Sequence, residues 1–407
     1  MGGVILDLST PATLTVRSPE GKTDVYTVAA HFSDLPVIYL TSPQPVVSRS
    51  QWITGCRMQI CHAGTADRSY EAVELRGRGN STWSKPKKPY AIRLGRRASV
   101  LGLPEHKRWV LLANYLDHTQ MRSELGFFIG RLTTLPYTPR TAFAEVVMNG
   151  DFLGTYQLAE HIKVDENRLN IPPESFLLET DSRATAAAGD VFFRVDHIPY
   201  PVVIKNPDTA PGQPAYTRVA EYVQAADRAL FGPDFRDPDK GYRAWIDVES
   251  FAEWYLVNEI TKNNDACFFA SCFMHLAPGG KLRMGPLWDF DLAFGNVTYN
   301  DNERPEGFWI KRQTAWFARL FEDPAFVELV RERFAWFDSH RELIYHQTER
   351  LADRLATPVT GDNGVWGHYE GGADATTVLP QWHADTYRLR QWLDTRLDWM
   401  GEALSGL

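Results

Sequence analysis

Three aspartates set in apolar sequence constrain this chain more than any other feature. Asp265 follows Asn263 and Asn264 at the end of a helical stretch. The run Trp288-Asp289-Phe290-Asp291-Leu292-Ala293-Phe294-Gly295 begins 23 residues later. A bare carboxylate is expensive to bury, so each must meet a cation, hydrogen-bond donors or a metal. A fold that buries the flanking aromatic side chains must therefore also build a polar site around these acids. Asp289 and Asp291 are two apart, so on an extended segment both face one side. Two hard oxygen ligands on one side suit Mg²⁺ or Mn²⁺, which keep several waters and bridge to phosphate. Gly295 permits a tight turn directly afterwards. One Asp upstream of a separate acid cluster is a common plan for phosphoryl transfer: the first positions the nucleophile and the second holds the metal.

A complementary basic block lies far upstream, from Arg76 through Gly77, Arg78, Gly79, Asn80, Ser81, Thr82 and Trp83 to Lys85, Lys87 and Lys88. Glycines let backbone amides approach an anion, and Ser81 and Thr82 add hydroxyl donors. The spacing is neither a Walker loop nor a GxGxxG, so a solvated basic hairpin is an equal reading of this segment alone. A further segment, Leu158-Ala159-Glu160-His161-Ile162-Lys163, places a Glu and a Lys at the end of an apolar strand. In kinase-like sites a Lys–Glu ion pair orients the phosphate-binding Lys; an exposed surface pair is the plainer alternative.

The chain has 407 residues, enough for two lobes, and its formal net charge of -8 argues against a generic nucleic-acid or anionic-membrane surface. No apolar run approaches the roughly 18 to 20 residues that span a bilayer. No secretory signal is read in Met1-Gly2-Gly3 and the short apolar Val4-Ile5-Leu6. The four cysteines, Cys56, Cys61, Cys267 and Cys272, lack a CxxC spacing and read as small buried thiols, with a disulfide left open.

The expected fold class is α+β. Residues 1–34 read as an N-terminal strand pair with a turn at Ser18-Pro19-Glu20-Gly21-Lys22. Residues 35–205 read as a β-rich part with one embedded helix over 117–132 and a hairpin at Asn149-Gly150. Residues 206–407 read as mainly helical. Helices are predicted over 216–231, over 247–262 with Asp247 as N-cap, and over 313–322, 324–338, 341–356 and 379–404. The Gly- and Thr-rich stretch 359–376 reads as a loop.

Together these blocks resemble the CotH kinase family, named for the spore-coat protein H kinases. The matching segments are Arg78-Gly79-Asn80-Ser81-Thr82-Trp83 with Lys87 to Leu94, Leu101 to Pro104 with Lys107 to Asn114, and Asp117 to Arg122. They continue with Met148 to Lys163, Asn263-Asn264-Asp265, and Gly285 to Gly295. The resemblance implies an atypical protein-kinase-like fold of two lobes, binding ATP with Mg²⁺ or Mn²⁺ between them. It implies transfer of the γ-phosphate to Ser or Thr of a protein partner. On that template Asp265 is catalytic, Asp289 holds metal with Asp291 in support, and Lys88, or else Lys87, contacts phosphate. Arg78, Asn80, Ser81, Thr82 and Lys163 lie near the nucleotide, and Glu160 pairs with the lysine or lines the nucleotide pocket. Protein kinases place a metal-binding Asn five residues beyond the catalytic Asp, where this chain has Ala270; Asn264 is the candidate substitute. The family also includes surface adhesins, which gives an alternative reading as a scaffold that acts by binding a partner, and it implies an exported or cell-surface bacterial protein.

Overall fold

The computed structural model describes residues 12–17, 21–28, 33–62 and 65–407. Strands and helices are both present, as an α+β chain requires. β1 (Ala12–Arg17) and β2 (Thr23–Val28) pair antiparallel as the expected N-terminal pair. The start of their turn, Ser18 to Glu20, lies outside the described residues, as do Met1 to Leu6.

The β-rich part closes into a barrel, which the two-lobed expectation did not contain. Its strands are β3 (Val37–Thr41), β4 (Ile53–His62), β5 (Thr65–Gly77), β6 (Tyr90–Val100), β7 (Leu103–Leu112), β8 (Thr141–Met148) and β9 (Asp151–Glu160). They run in the order β3-β4-β5-β6-β7-β9-β8, and a parallel β3–β8 pairing shuts the ring. Register shifts along β4 and β5 bend the sheet, which closure demands. Alternation sorts the side chains. Ile92, Trp109, Leu111 and Leu158 point inward to the barrel core, while Ala91 and Val110 point outward. The expected hairpin at Asn149-Gly150 joins β8 to β9.

A second sheet has the order β11-β12-β10-β13-β14, from β10 (Phe176–Asp181), β11 (Phe192–Val195), β12 (Ile198–Asn206), β13 (Ala270–Leu276) and β14 (Arg283–Met284). It draws strands from both sides of residue 205.

Helices α2 (Pro214–Phe231) and α3 (Val248–Ile260) follow the sequence reading, with the Asp247 side chain accepting from Ser250 N at 2.9 Å. Before them α1 (Arg122–Arg131) is shorter than predicted. Then come α4 (Ile310–Gln313), α5 (Ala315–Leu320) and α6 (Pro324–Ser339). α3 is buried from Ser250 onward because apolar residues surround it on all sides. Trp254 stacks on Phe317 at 5.6 Å, and Phe268, Phe251 and Trp316 extend the aromatic cluster. Each such pair contributes about 0.5–1.5 kcal/mol beyond burial.

Of the stretch 359–376 read as a loop, residues 367–374 form one, but 359–366 are helix instead. α7 (Arg341–Trp366) runs through Pro358, and α8 (Ala375–Ser405) begins at the Asp374 cap. Burial overrides propensity here. Asp362, on α7, reaches into the barrel wall and binds Lys87 Nζ at 2.5 Å, Thr155 N at 2.8 Å and Gln120 Nε2 at 2.8 Å. α7 and β9 can approach this closely only because position 154 is glycine. A Cβ there would lie 2.2 Å from Asp362 Oδ1.

Candidate active site

The end of α3 sets the first acid. Glu259 is fully buried and takes hydrogen bonds from Trp309 N at 2.6 Å and Ile310 N at 2.9 Å. It also pairs with the buried Arg396 of α8 at 2.7 Å. With α3 fixed this way, the chain leaves it through Lys262 and Asn263 into a single turn, Asn264–Ala266, that carries Asp265.

The second acid pair is held from the barrel side. Asp117 is buried and binds Arg122 through both its guanidinium, at 2.5 Å, and its backbone N, at 2.8 Å. That contact seats the first turn of α1. Phe127 of α1 then packs edge-on against Phe290 at 5.6 Å and tilted against Trp288 at 5.6 Å. Phe290, between the two aspartates, is thus the anchor of the acid loop. Asn296 Nδ2 bridges Leu116 O and Asp291 O at 2.9 and 2.7 Å. Gly295 turns the chain away at φ +70, close against Trp392.

Strained backbone gathers at these acids. Lys262, Phe268, Ser271, Asp289 and Phe294 all have φ between 45° and 68°. Such residues cost of order 1–3 kcal/mol each and persist only where the surroundings hold them. They surround the segment that aims Asp265 and Asp289, and Ser271 Oγ donates to Asp289 Oδ2 at 3.2 Å.

Asp265, Asp289 and Asp291 all face one cleft of about 380 Å³ between the barrel and the second sheet. That size is in the usual range for a small-ligand site. Burial, Asp289, Asp265 and Asp117 push Asp291 well above the usual carboxylate range, opposed by Arg78. Burial and Asp289 raise Asp265, while the Asn264 amide, 2.7 Å away, pulls it down. Arg78 stands opposite the acids. Burial disfavours its charge, and Asp289, Asp291 and Glu179 favour it. Outward-facing Ala91 and Val110, with Leu112, Leu177, Phe273 and Trp288, give the cleft an apolar wall.

Of the residues expected at the nucleotide, Arg78, Asn80, Ser81, Thr82 and Lys163 line this cleft. Arg49 fixes their loop, donating to Gly79 O at 2.6 Å and Asn80 Oδ1 at 2.9 Å.

Four other expected residues do not line the cleft. Lys87 is buried against Asp362 and Thr155 O on the far side of the loop, where its charge is already satisfied. Lys88 folds back on Trp83, donating to its carbonyl at 2.9 Å. Glu160 pairs with Arg168 at 2.8 Å and Arg140 at 2.9 Å, and with no lysine among the described residues. Asn264 accepts at its side-chain Oδ1 from Asn300 and Asn302 at 3.0 and 3.2 Å and donates its amide to Asp265, so the oxygen a metal would need is already engaged.

A Lys–Glu pair does line the cleft, but it is Lys205–Glu179, at 3.0 Å on β12 and β10. Glu179 holds the Lys205 ammonium above its ordinary range. Sequence reasoning missed both. Each is a charged residue closing an apolar run, Phe176-Leu177-Leu178-Glu179 and Val202-Val203-Ile204-Lys205. That signal resembles the one that drew attention to Glu160.

Residues 75–400 match the CotH kinase protein family. The chain belongs to that family. Every cleft residue named above except Arg49 falls within the matched span, and the family description makes a kinase-like activity the starting point for reading the site. No curated protein is similar enough to name as a relative. All four cysteines are free thiols. No helix among the described residues is long and apolar enough to cross a membrane.

Proposed function

We propose that this CotH family member is a metal-dependent phosphotransferase that moves the γ-phosphate of ATP to a Ser or Thr hydroxyl of a protein. The observation that carries the proposal is the meeting, in one cleft, of Asp265 with Asp289 and Asp291, and of these acids with Arg78 and the Lys205–Glu179 pair.

The donor set fits a hard cation. Asp289 and Asp291 offer carboxylate oxygens, and burial together with the neighbouring acids raises the proton affinity of Asp291. Among the described residues, no three acidic, His or Cys side chains gather closely enough to hold a metal alone. That agrees with Mg²⁺ or Mn²⁺ held by one or two carboxylates plus phosphate and water. A bound ion would neutralise charge on the phosphates. Arg78 and Lys205 are assigned to the phosphates, and the loop from Gly79 to Thr82 covers them. The apolar wall at Ala91, Val110 and Leu177 takes the base. Asp265 accepts the hydroxyl proton as the acceptor oxygen attacks the γ-phosphorus and the bond to the ADP oxygen breaks. Its raised pKa suits a general base.

The test is label transfer from γ-³²P-ATP to β-casein and myelin basic protein. Asp265→Asn is expected to bind ATP as wild type does while losing about 10²–10⁴ in turnover. Equal turnover by Asp265→Asn would refute the assignment. Ala270, where protein kinases carry a metal-binding Asn, favours the second reading, a scaffold that acts by binding a partner. ATP binding with no transfer by the wild type to any acceptor would select it.

A further inference from the structure

On the outer face of the barrel, the strands that form the cleft's apolar wall carry a second polar cluster one rung further along. Arg76, Ala91 and Val110 stand opposite one another across β5, β6 and β7, and the next rung is Glu74, Arg93 and Arg108. Arg93 and Arg108 therefore face each other directly, an arrangement that ordinarily destabilises a sheet. Trp52 holds the cluster together. The guanidiniums of Arg76, Arg93 and Arg108 lie 4.8, 4.8 and 4.6 Å from its indole centre.

The cluster has more donors than acceptors. Among the described residues Glu74 pairs with Arg93 alone. Arg76 gives one bond to Arg49 O at 2.7 Å, yet its Nε is buried without a partner. Among the described residues the Arg108 guanidinium and the Lys163 ammonium make no hydrogen bond or ion pair within 4 Å. Lys163 is instead crowded by Arg108, Lys205 and Arg76. Arg76 and Lys163 open into the cleft.

The basic end of the cleft meets the acid end through Arg76, which opposes the charge of Arg78, and Lys205, which opposes that of Lys163. Arg78 answers to Asp289, Asp291 and Glu179. The opposing charges that act most on Arg108 and Lys163 are Glu74 and Asp208.

We infer that Arg76, Arg108 and Lys163 form a subsite for a phosphate monoester on the acceptor polypeptide, so that the preferred substrate is already phosphorylated near the residue to be modified. The Arg108 guanidinium, held on Trp52 by stacking and free of other partners among the described residues, offers a fork of N–H groups, and Arg76 and Lys163 add charge, a set that matches a phosphate dianion better than a single carboxylate. The inference rests on the phosphotransfer reading for its consequence, but the binding itself does not.

The experiment measures binding of native, phosphorylated β-casein and of phosphatase-treated β-casein to the full chain by biolayer interferometry. The phosphorylated form is expected to bind roughly tenfold tighter or more, the scale of charge-assisted hydrogen bonds. Arg108→Gln should remove most of that preference and leave the ATP-dependent shift in unfolding temperature at its wild-type value. Arg108→Lys, which keeps the charge but not the fork, should fall between them and guards against a misfolded variant. Arg388→Gln, an exposed charge on α8, should change nothing. Equal binding of the two caseins would overturn the inference. So would loss of the ATP shift in Arg108→Gln, since that would assign the cluster to the nucleotide. If wild type prefers phosphorylated casein but transfers no phosphate, the subsite stands and the phosphotransfer reading falls.

Discussion

Lys87 separates a structural role from a ligand role, because the two give opposite results on one substitution. Its ammonium and the Asp362 carboxylate are each 1% exposed and 2.5 Å apart. Lys87→Met leaves Asp362 with two neutral donors, Thr155 N and Gln120 Nε2, and no cation. Stranding one partner of a buried pair costs about 3–5 kcal/mol. Protonation sets an independent ceiling. Neutralising an aspartate of ordinary pKa 3.9 costs about 4 kcal/mol at pH 7 and about 1.5 kcal/mol at pH 5. The variant should therefore lose up to about 4 kcal/mol at pH 7 and much less at pH 5. Lys87→Met/Asp362→Asn, which keeps an acceptor for Thr155 N, should recover most of the loss at pH 7. The assay is urea unfolding at both pH values, reading the midpoint at constant slope. Stabilisation by ATP and Mg²⁺ should survive in all variants. Wild-type unfolding by Lys87→Met together with a lost nucleotide response would refute the reasoning and make Lys87 a phosphate ligand.

Two other predictions concern the acid loop and pH. A Cβ at Gly126 would lie 2.3–2.6 Å from the ring of Phe290, so Gly126→Ala should cost about 1–3 kcal/mol and weaken nucleotide binding by displacing the loop between Asp289 and Asp291; unchanged binding by calorimetry would show that the anchor is not Phe290. Burial lowers the pKa of His275 to about 4. Because its folded value is depressed, its contribution is present above the unfolded value of about 6.5 and is lost as pH falls from there toward the folded value. Wild type should thus lose about 2 kcal/mol more than His275→Gln between pH 7 and pH 5, measured by denaturant unfolding. Parallel losses in the two proteins would contradict a neutral buried imidazole.

What was legible in the sequence were the local patterns. The Asn149-Gly150 hairpin, the Asp247 cap and the acid run are fixed by a few adjacent residues, and the structure forms each of them. What escaped was set by distant partners. The barrel closes through β3 and β8, over a hundred residues apart, in a parallel pairing that no short pattern announces. β12 carries Pro199 and Pro201, which argue against a strand, and it pairs with β10 nonetheless. Gly361 and Gly364 fall in the stretch read as a loop, but the buried bonds of Asp362 outweigh their poor helix propensity. At the site, the aspartates were found because acids in apolar sequence are unusual. The lysines were misassigned because a basic run shows that charge is present and not where each ammonium points. Lys87 turned inward to Asp362, and the cleft's lysines are Lys163, which was expected there, and Lys205, which was not.

The central claim is a nucleotide–metal site at Asp289, and thermal unfolding with ATP plus Mg²⁺ or Mn²⁺ tests it most directly. At 100-fold excess over Kd, binding adds about 2.7 kcal/mol. Wild type should show a rise in midpoint that needs both ATP and metal, and Asp289→Ala should show none. The same rise in Asp289→Ala, or no rise in wild type with either ion, would contradict the account.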